Sequence, residues 1–327
     1  MTGLSDSFRR PINYLRISVT DRCNLRCVYC MPPEGIPLIA HQDILTYEEI
    51  GTIVRAAAEL GITKVRLTGG EPLTRLGLPQ LVAMIAGIPG IDDISMTTNG
   101  TLLPRYTREL KAAGLKRVNI SLDTLRAERF SGICRFSQLD DVLAGIDAAR
   151  EAGLSPIKIN VVVMAGVNDD ELVDFARKTV DEGWNVRFIE LMHMKGVADM
   201  ENRYIPAKEM MKRLDVLGKL EPCFAEVGNG PAKYYRLPGA RGTIGFITPV
   251  SEHFCEHCNR LRLTSDGKLH LCLLSEEEVD LREPLRHGIS FEGLKGLIRE
   301  AVKRKPSGHH LAEGVQSSKR PMSQVGG

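Results

Sequence analysis

The chain has 327 residues, with 43 Lys and Arg against 41 Asp and Glu. That length can bury a large core and suits one big domain or two ordinary ones. Balanced charge gives no basis for nucleic-acid or membrane-surface binding, no apolar run would span a bilayer, and the start MTGLSDSFRRPINYL lacks the apolar centre of a secretory signal. A soluble cytoplasmic protein is expected.

Six strands are predicted in chain order, starting at Tyr14, Lys64, Asp93, Arg117, Ile157 and Asn185. Amphipathic helical stretches lie between them. Thr46 with Glu49 forms a capping-box signature, and Ile50, Ile53, Val54 and Ala57 follow at helical spacing up to Gly61. Gly114, Gly153 and Gly183 close three later helices in the same way. Repeated strand–helix units argue for a parallel sheet with crossover helices, hence an α/β fold. Six units are two short of a full eight-fold barrel. The expected architecture is an incomplete (β/α)6 TIM-type barrel over residues 1–230.

Read by parity, the strands have one apolar and one polar face. Leu15, Ile17 and Val19 alternate with Arg16, Ser18 and Thr20; Val65 and Leu67 alternate with Lys64, Arg66 and Thr68. Val118 and Ile120 oppose Asn119 and Ser121, and Ile157, Ile159 and Val161 oppose Lys158 and Asn160. Parallel sheets are normally covered on both sides. A polar, partly cationic face on such a sheet predicts a hydrated cavity for an anionic ligand. The competing reading is a solvated face on a half-buried sheet.

Beyond about Leu217 the pattern changes to short strands, AKYYRL, RGTIGFIT, RLRLT and KLHLCLL, the last two joined through Ser265-Asp266-Gly267, a hairpin signal. A charged helix is expected from Ser290 to about Lys303, and the last two dozen residues read as flexible. Residues 231–327 are therefore expected to form a β-containing C-terminal domain that closes the barrel.

Of eight cysteines, six fall into two triplets: Cys23, Cys27 and Cys30, and Cys255, Cys258 and Cys272. Reducing compartments favour metal binding over disulfides for such a set. Each triplet is one ligand short of a closed four-ligand site, which leaves a metal position for something that is not protein. Cys134 and Cys223 read as small buried hydrophobes.

The C-x3-C-x2-C loop at the end of the first strand, with Tyr29 before the third cysteine, resembles the radical S-adenosylmethionine (SAM) enzymes, as does Thr68-Gly69-Gly70-Glu71-Pro72 one strand later. The run FCEHCNRLRLTSDGKLHLCL, with LRISVTDRCNLRCVYCMP, KVRLTGGEPL, TTNG, RVNISLD, KINVVV, VRFIELM and a closing Gly326-Gly327, is similar to the GTP-cyclising family of molybdenum cofactor biosynthesis.

That resemblance implies two 4Fe-4S clusters, one on each triplet, with SAM bound at the first and the guanine end of GTP at the second. It implies SAM contacts from Tyr29, Gly70, Ser121 and Met192, and GTP contacts from Arg16, Arg66, Thr97, Lys158, Arg260 and Arg262. Lys64 and Arg187 are secondary candidates for the same basic pocket. A SAM-derived 5'-deoxyadenosyl radical would remove hydrogen from C3' of GTP, and the C3' radical would attack C8. The product would be (8S)-3',8-cyclo-7,8-dihydroguanosine 5'-triphosphate. Gly326 and Gly327 would reach into the active site. A flavodoxin- or ferredoxin-like electron donor, a next enzyme making cyclic pyranopterin monophosphate, and a homodimer complete the family's expectations. No function is assigned to residues 131–136. The rival readings are another two-cluster radical SAM enzyme acting on a peptide, and a non-enzymatic zinc or iron–sulfur protein.

Overall fold

The computed structural model describes residues 3–192, 202–224, 228, 230–309 and 320–326. The first six strands are β1 (Tyr14–Ser18), β2 (Lys64–Thr68), β3 (Asp93–Thr98), β4 (Arg117–Ser121), β5 (Lys158–Val163) and β6 (Asn185–Glu190). Between them run α1 (Tyr47–Glu59), α2 (Leu78–Ala86), α3 (Leu103–Ala112), the pair α4 (Ala127–Cys134) and α5 (Leu139–Glu151), and α6 (Leu172–Asp181); α7 (Ala207–Leu214) follows β6. The capping box of α1 is present: Thr46 Oγ1 accepts from Glu49 N, and Glu49 returns a carboxylate oxygen to Thr46 N at 2.8 Å.

The six strands pair in parallel, β1 to β6 in sequence. The C-terminal strands are β7 (Glu221–Cys223), β8 (Lys233–Arg236), β9 (Thr243–Ile247), β10 (Arg260–Leu263), β11 (Lys268–His270) and β12 (Glu278–Asp280). They do not form a separate sheet. β10 adds in parallel to the free edge of β1 and β9 adds in parallel to β6. The order is β12-β11-β10-β1-β2-β3-β4-β5-β6-β9-β8-β7, so β7 and β12 are the two ends of one sheet. The C-terminal segment thus covers both edges of the six-stranded unit, and no pairing joins β12 to β7 among the described residues. The hairpin through Ser265-Asp266-Gly267 is the antiparallel β10–β11 pair.

The helices cover the apolar parity face. Leu15, Ile17, Val65, Leu67, Val118 and Ile120 are buried in one cluster with Ile50, Ile53 and Val54 of α1 and Leu81 and Val82 of α2. Burial of each such side chain stabilises the fold by about 1.5–3 kcal/mol. After β12 come α8 (Arg282–Arg286), α9 (Phe291–Lys303) and α10 (Met322–Val325). Helix α9 starts at Ser290, whose hydroxyl caps Gly293 N, and it packs on α1. The expectation of a wholly flexible tail is corrected for residues 320–326: Ser323 and Val325 are buried, 2% and 1% exposed.

Candidate active site

The polar strand face is not solvated. Arg16, Arg117, Lys158, Arg187 and Arg262 are all under a tenth exposed. A charge taken from water needs a partner or a ligand, so the inner face of this sheet is built to hold something polar. Two cavities occupy it. The lower one, about 190 Å³, lies toward the N-terminal ends of the strands; the upper, about 200 Å³, lies at their C-terminal ends. Thr97, Asn160, Ile189, Met192 and Met322 line both, so the two are neighbours sharing a wall.

The upper cavity gathers Cys23, Cys27 and Cys30 with Tyr29, Gly70, Ser121 and Met192, the whole set expected at SAM. The Gly-Gly-Glu-Pro turn packs directly on the segment leading to Cys23: Gly70 N donates to Thr20 O and Glu71 N to Arg22 O, both at 2.8 Å. A Cβ on Gly70 would stand 2.3 Å from Arg22 O, so only glycine allows this approach. Glu71 is fully buried and accepts from Thr98 Oγ1 and the amides of Leu73 and Asn99, tying the ends of β2 and β3 together. Burial pushes its carboxyl up to about 7 despite those donors.

Two features of this cavity escaped the sequence reading. Asp123 accepts from the Tyr29 hydroxyl at 2.7 Å and from Val162 N at 2.8 Å, fixing the aromatic beside the third cysteine. Its only signal was its place at the end of RVNISLD. Residues 131–136, left without a function, back the cysteine loop: Arg26 N donates to Cys134 O and Val28 N to Ile133 O, each at 3.0 Å. Cys134 is buried, as expected, and lies against Cys27. Cys223 is only half-buried on β7.

The lower cavity gathers Arg16, Arg66, Thr97, Lys158, Arg260 and Arg262 with Cys255, Cys258 and Cys272. Arg187 joins them, whereas Lys64, at the first position of β2, is not among the lining residues. Tyr14, Arg117 and Lys305 line it too and were missed. Parity would have found the first two, since Tyr14 precedes Arg16 and Arg117 precedes Asn119 by two residues on the polar faces. Eight cations line this space (Arg16, Arg66, Arg117, Lys158, Arg187, Arg260, Arg262 and Lys305), and no carboxylate does among the described residues. Arg117 is paired with the Asp93 carboxylate behind it.

Crowding and burial weaken these charges. Burial first, then Arg187, Arg117 and Arg66, brings Lys158 down to about 7. Burial also lowers Arg66 and Arg262 to about 10. The Tyr14 hydroxyl is buried without a hydrogen-bond partner. Burial would raise its pKa, but Arg66, Arg16, Arg260 and Arg117 together hold it below the usual phenol value. A polyanion entering the cavity would offset the mutual repulsion of these cations.

Among the described residues, no three His, Cys, Asp or Glu side chains converge as ligands of a single ion would. Each cysteine triplet instead borders a cavity. Thiolate donors placed around a space suit an iron–sulfur cluster, which takes its ligands at separate corners. In the first triplet, burial and the nearby Glu71 push Cys23 up to about 12, and burial with its cysteine neighbours raises Cys30 further. Thiolates there need a cationic group beside them. In the second, burial is outweighed by Lys305 and Arg260, which lower Cys258. Lys305 is 3% exposed, donates through its ammonium to the carbonyls of Arg260 and Leu271, and its charge lowers the Cys258 thiol. Two of its donors thereby join the two cysteine-bearing segments.

The tail enters between the cavities. Met322 lines both, the Ser323 backbone lies near enough to Cys30 to act against the rise of its thiol, and Arg262 Nη1 donates to the carbonyls of Val325 (3.3 Å) and Gly326. Gly326 has φ +72°, and a Cβ there would meet Thr68 Cγ2 at 2.7 Å. Gly327 lies outside the described residues.

The chain matches the Radical SAM superfamily over residues 17–179 and Molybdenum Cofactor Synthesis C over residues 184–311. It is 54% identical over 326 residues to the GTP 3',8-cyclase of Pelotomaculum thermopropionicum, covering 99% of this chain and 100% of that protein. It is 52% identical to the GTP 3',8-cyclase of Heliobacterium modesticaldum, with 98% and 99% covered. The crystal structure of Streptococcus suis SuiB bound to S-adenosylmethionine shares the fold, with a TM-score of 0.62 at 16% identity, over 87% of this chain and 68% of that one. By its full-length likeness to these cyclases, the chain belongs to the GTP 3',8-cyclase family of the radical SAM superfamily.

Proposed function

We infer that the protein is a GTP 3',8-cyclase catalysing the first step of molybdenum cofactor biosynthesis. The observation that carries this reading is the lower cavity, with eight cations and no carboxylate among its described lining, next to a second cavity holding the radical SAM cysteine loop. Cys23, Cys27 and Cys30 would hold one 4Fe-4S cluster, and Cys255, Cys258 and Cys272 the other. With SAM bound, the first cluster would supply the one electron that splits SAM into methionine and the 5'-deoxyadenosyl radical.

The chain's own residues position the reactants. Tyr29, Gly70, Ser121 and Met192 would seat SAM, while Arg16, Arg66, Lys158, Arg260 and Arg262, with Thr97, would grip GTP. Arg suits phosphate because its planar fork donates in pairs. Arg187, Arg117 and Tyr14 join this set on the geometry. Thr97 and Met192 stand where the cavities adjoin, so the ribose would lie there, facing SAM. Placing one C–H bond against a short-lived radical is a proximity effect. Gly326 and Gly327 would complete the enclosure.

We also divide the chain by role at residue 230: residues 1–230 generate the radical and 231–327 supply the second cluster, two of the GTP-binding arginines and the tail. A cytoplasmic homodimer served by a flavodoxin- or ferredoxin-like donor, passing its product to an enzyme that makes cyclic pyranopterin monophosphate, follows from the family resemblance. No helix among the described residues is long and apolar enough to cross a membrane.

The test is an anaerobic assay with GTP, SAM and a strong reductant. GTP-dependent formation of 5'-deoxyadenosine with the cyclised nucleotide is expected. Their absence in protein carrying both clusters would defeat the reading, and zinc without sulfide in the purified protein would defeat it earlier.

A further inference from the structure

We propose that Arg320 is a latch, a positioning residue that seats residues 321–326 between the two cavities. The proposal starts from four hydrogen bonds. Arg320 Nη1 and Nη2 donate to the two Asp266 oxygens at 3.1 and 2.9 Å, and Nε and Nη2 donate to the two Glu278 oxygens at 2.9 and 3.2 Å. One guanidinium is thus forked onto two carboxylates. Paired geometry of this kind is stronger and more directional than a single exposed ion pair. All three side chains are largely shielded: Arg320 is 18%, Asp266 14% and Glu278 31% exposed.

The carboxylates are themselves set in place. Thr264 Oγ1 lies 2.6 Å from Asp266 Oδ1, and the buried His270 holds Glu278 through Nε2 at 2.7 Å. Without Arg320, Asp266 and Glu278 would be two carboxylates left facing one another.

Location gives the latch its purpose. Asp266 is in the turn of the β10–β11 hairpin and His270 ends it. The same hairpin carries Arg262, whose guanidinium holds the carbonyls of Val325 and Gly326, and it leads directly to Cys272. The docked segment is therefore gripped at both ends by a single hairpin that also delivers the third cysteine of the second triplet. Seating of the tail and integrity of that triplet become linked through one element. The latch rests on the cyclase reading for its purpose, but its test does not need turnover.

The experiment is hydrogen exchange on the full-length, cluster-loaded protein under anaerobic conditions, without GTP or SAM. In the parent, amides of Ser323–Gly326 should exchange slowly. Arg320→Ala should accelerate them by at least about tenfold, the loss expected when a partly buried charge pair is broken, while peptides from β1 to β6 keep their rates. Asp266→Asn should act in the same direction. Arg320→Lys should restore little, because one ammonium cannot fork onto two carboxylates. Unchanged exchange in Arg320→Ala, or parent amides exchanging as freely as an unfolded chain, would overturn the latch. A chain that fails to cyclise GTP yet keeps the latch-dependent protection would instead count against the cyclase reading alone.

Discussion

At the residue scale, the proposed GTP site predicts that Lys158 makes GTP binding pH-dependent. Its pKa is brought down to about 7 by burial and by Arg187, Arg117 and Arg66, so near pH 8 the free protein holds it mostly neutral. A triphosphate favours the charged form and raises that pKa again. Binding should therefore take up a proton, and affinity should fall by up to about tenfold per pH unit as pH rises above 7. Calorimetry in buffers of different ionisation enthalpy reads the uptake directly, and Lys158→Gln should abolish it. The sign is opposite for the ligand-free fold: between about 7 and the unfolded value the unfolded chain holds the extra proton, so this group's contribution to stability rises with pH. Lys305 makes a second prediction. Lys305→Met leaves two carbonyls without their donor and Cys258 without the charge that lowers its thiol. Iron and sulfide should fall by roughly half as the second cluster is lost and the first retained. Full loading of both clusters would show that Lys305 has no such role.

Elements meet closely at several glycines, and two of these, Gly70 and Gly145, separate stability from binding. A Cβ on Gly70 would stand 2.3 Å from Arg22 O, and one on Gly145 of α5 would stand 2.2 Å from Gly100 O. Each Gly→Ala change forces a backbone shift costing about 1–3 kcal/mol, measurable by denaturant unfolding. Only Gly70→Ala disturbs the turn lining the upper cavity, so only it should weaken SAM binding. Equal loss of SAM affinity in Gly145→Ala would mean that general destabilisation is the cause. These contacts could not be read from the chain, because the sequence marks a glycine without showing what approaches it. The strands, the helix starts and the parity of the inner face were legible, since side-chain periods of 2 and 3.6 are local properties. Arg117 was legible by the same rule and was passed over. The support given to the cysteine loop by residues 131–136 was not, since it joins segments about a hundred residues apart through main-chain hydrogen bonds.

On the scale of the whole molecule, the C-terminal segment supplies both flanks of the parallel sheet, the second cysteine triplet and the tail. Arg260 and Arg262 lie two residues apart on β10 yet should behave differently. Arg260→Ala should weaken GTP binding and leave the tail seated. Arg262→Ala should weaken GTP binding and also unseat the tail, since it frees the carbonyls of Val325 and Gly326. Calorimetry with GTP and exchange at residues 323–326 distinguish them, and identical behaviour would contradict the assignment. The sequence by itself determined the chemistry: two incomplete thiolate sets, a Gly-Gly-Glu-Pro turn and a cationic strand face, all carried by residue type and short spacing. Only the tertiary structure decided that β9 and β10 would extend the same parallel sheet, that Lys305 would bridge the cysteine segments, and that the tail would be held by Arg262 and Arg320. Such pairings depend on which distant surfaces meet once the core is buried, and no local period in the chain encodes that.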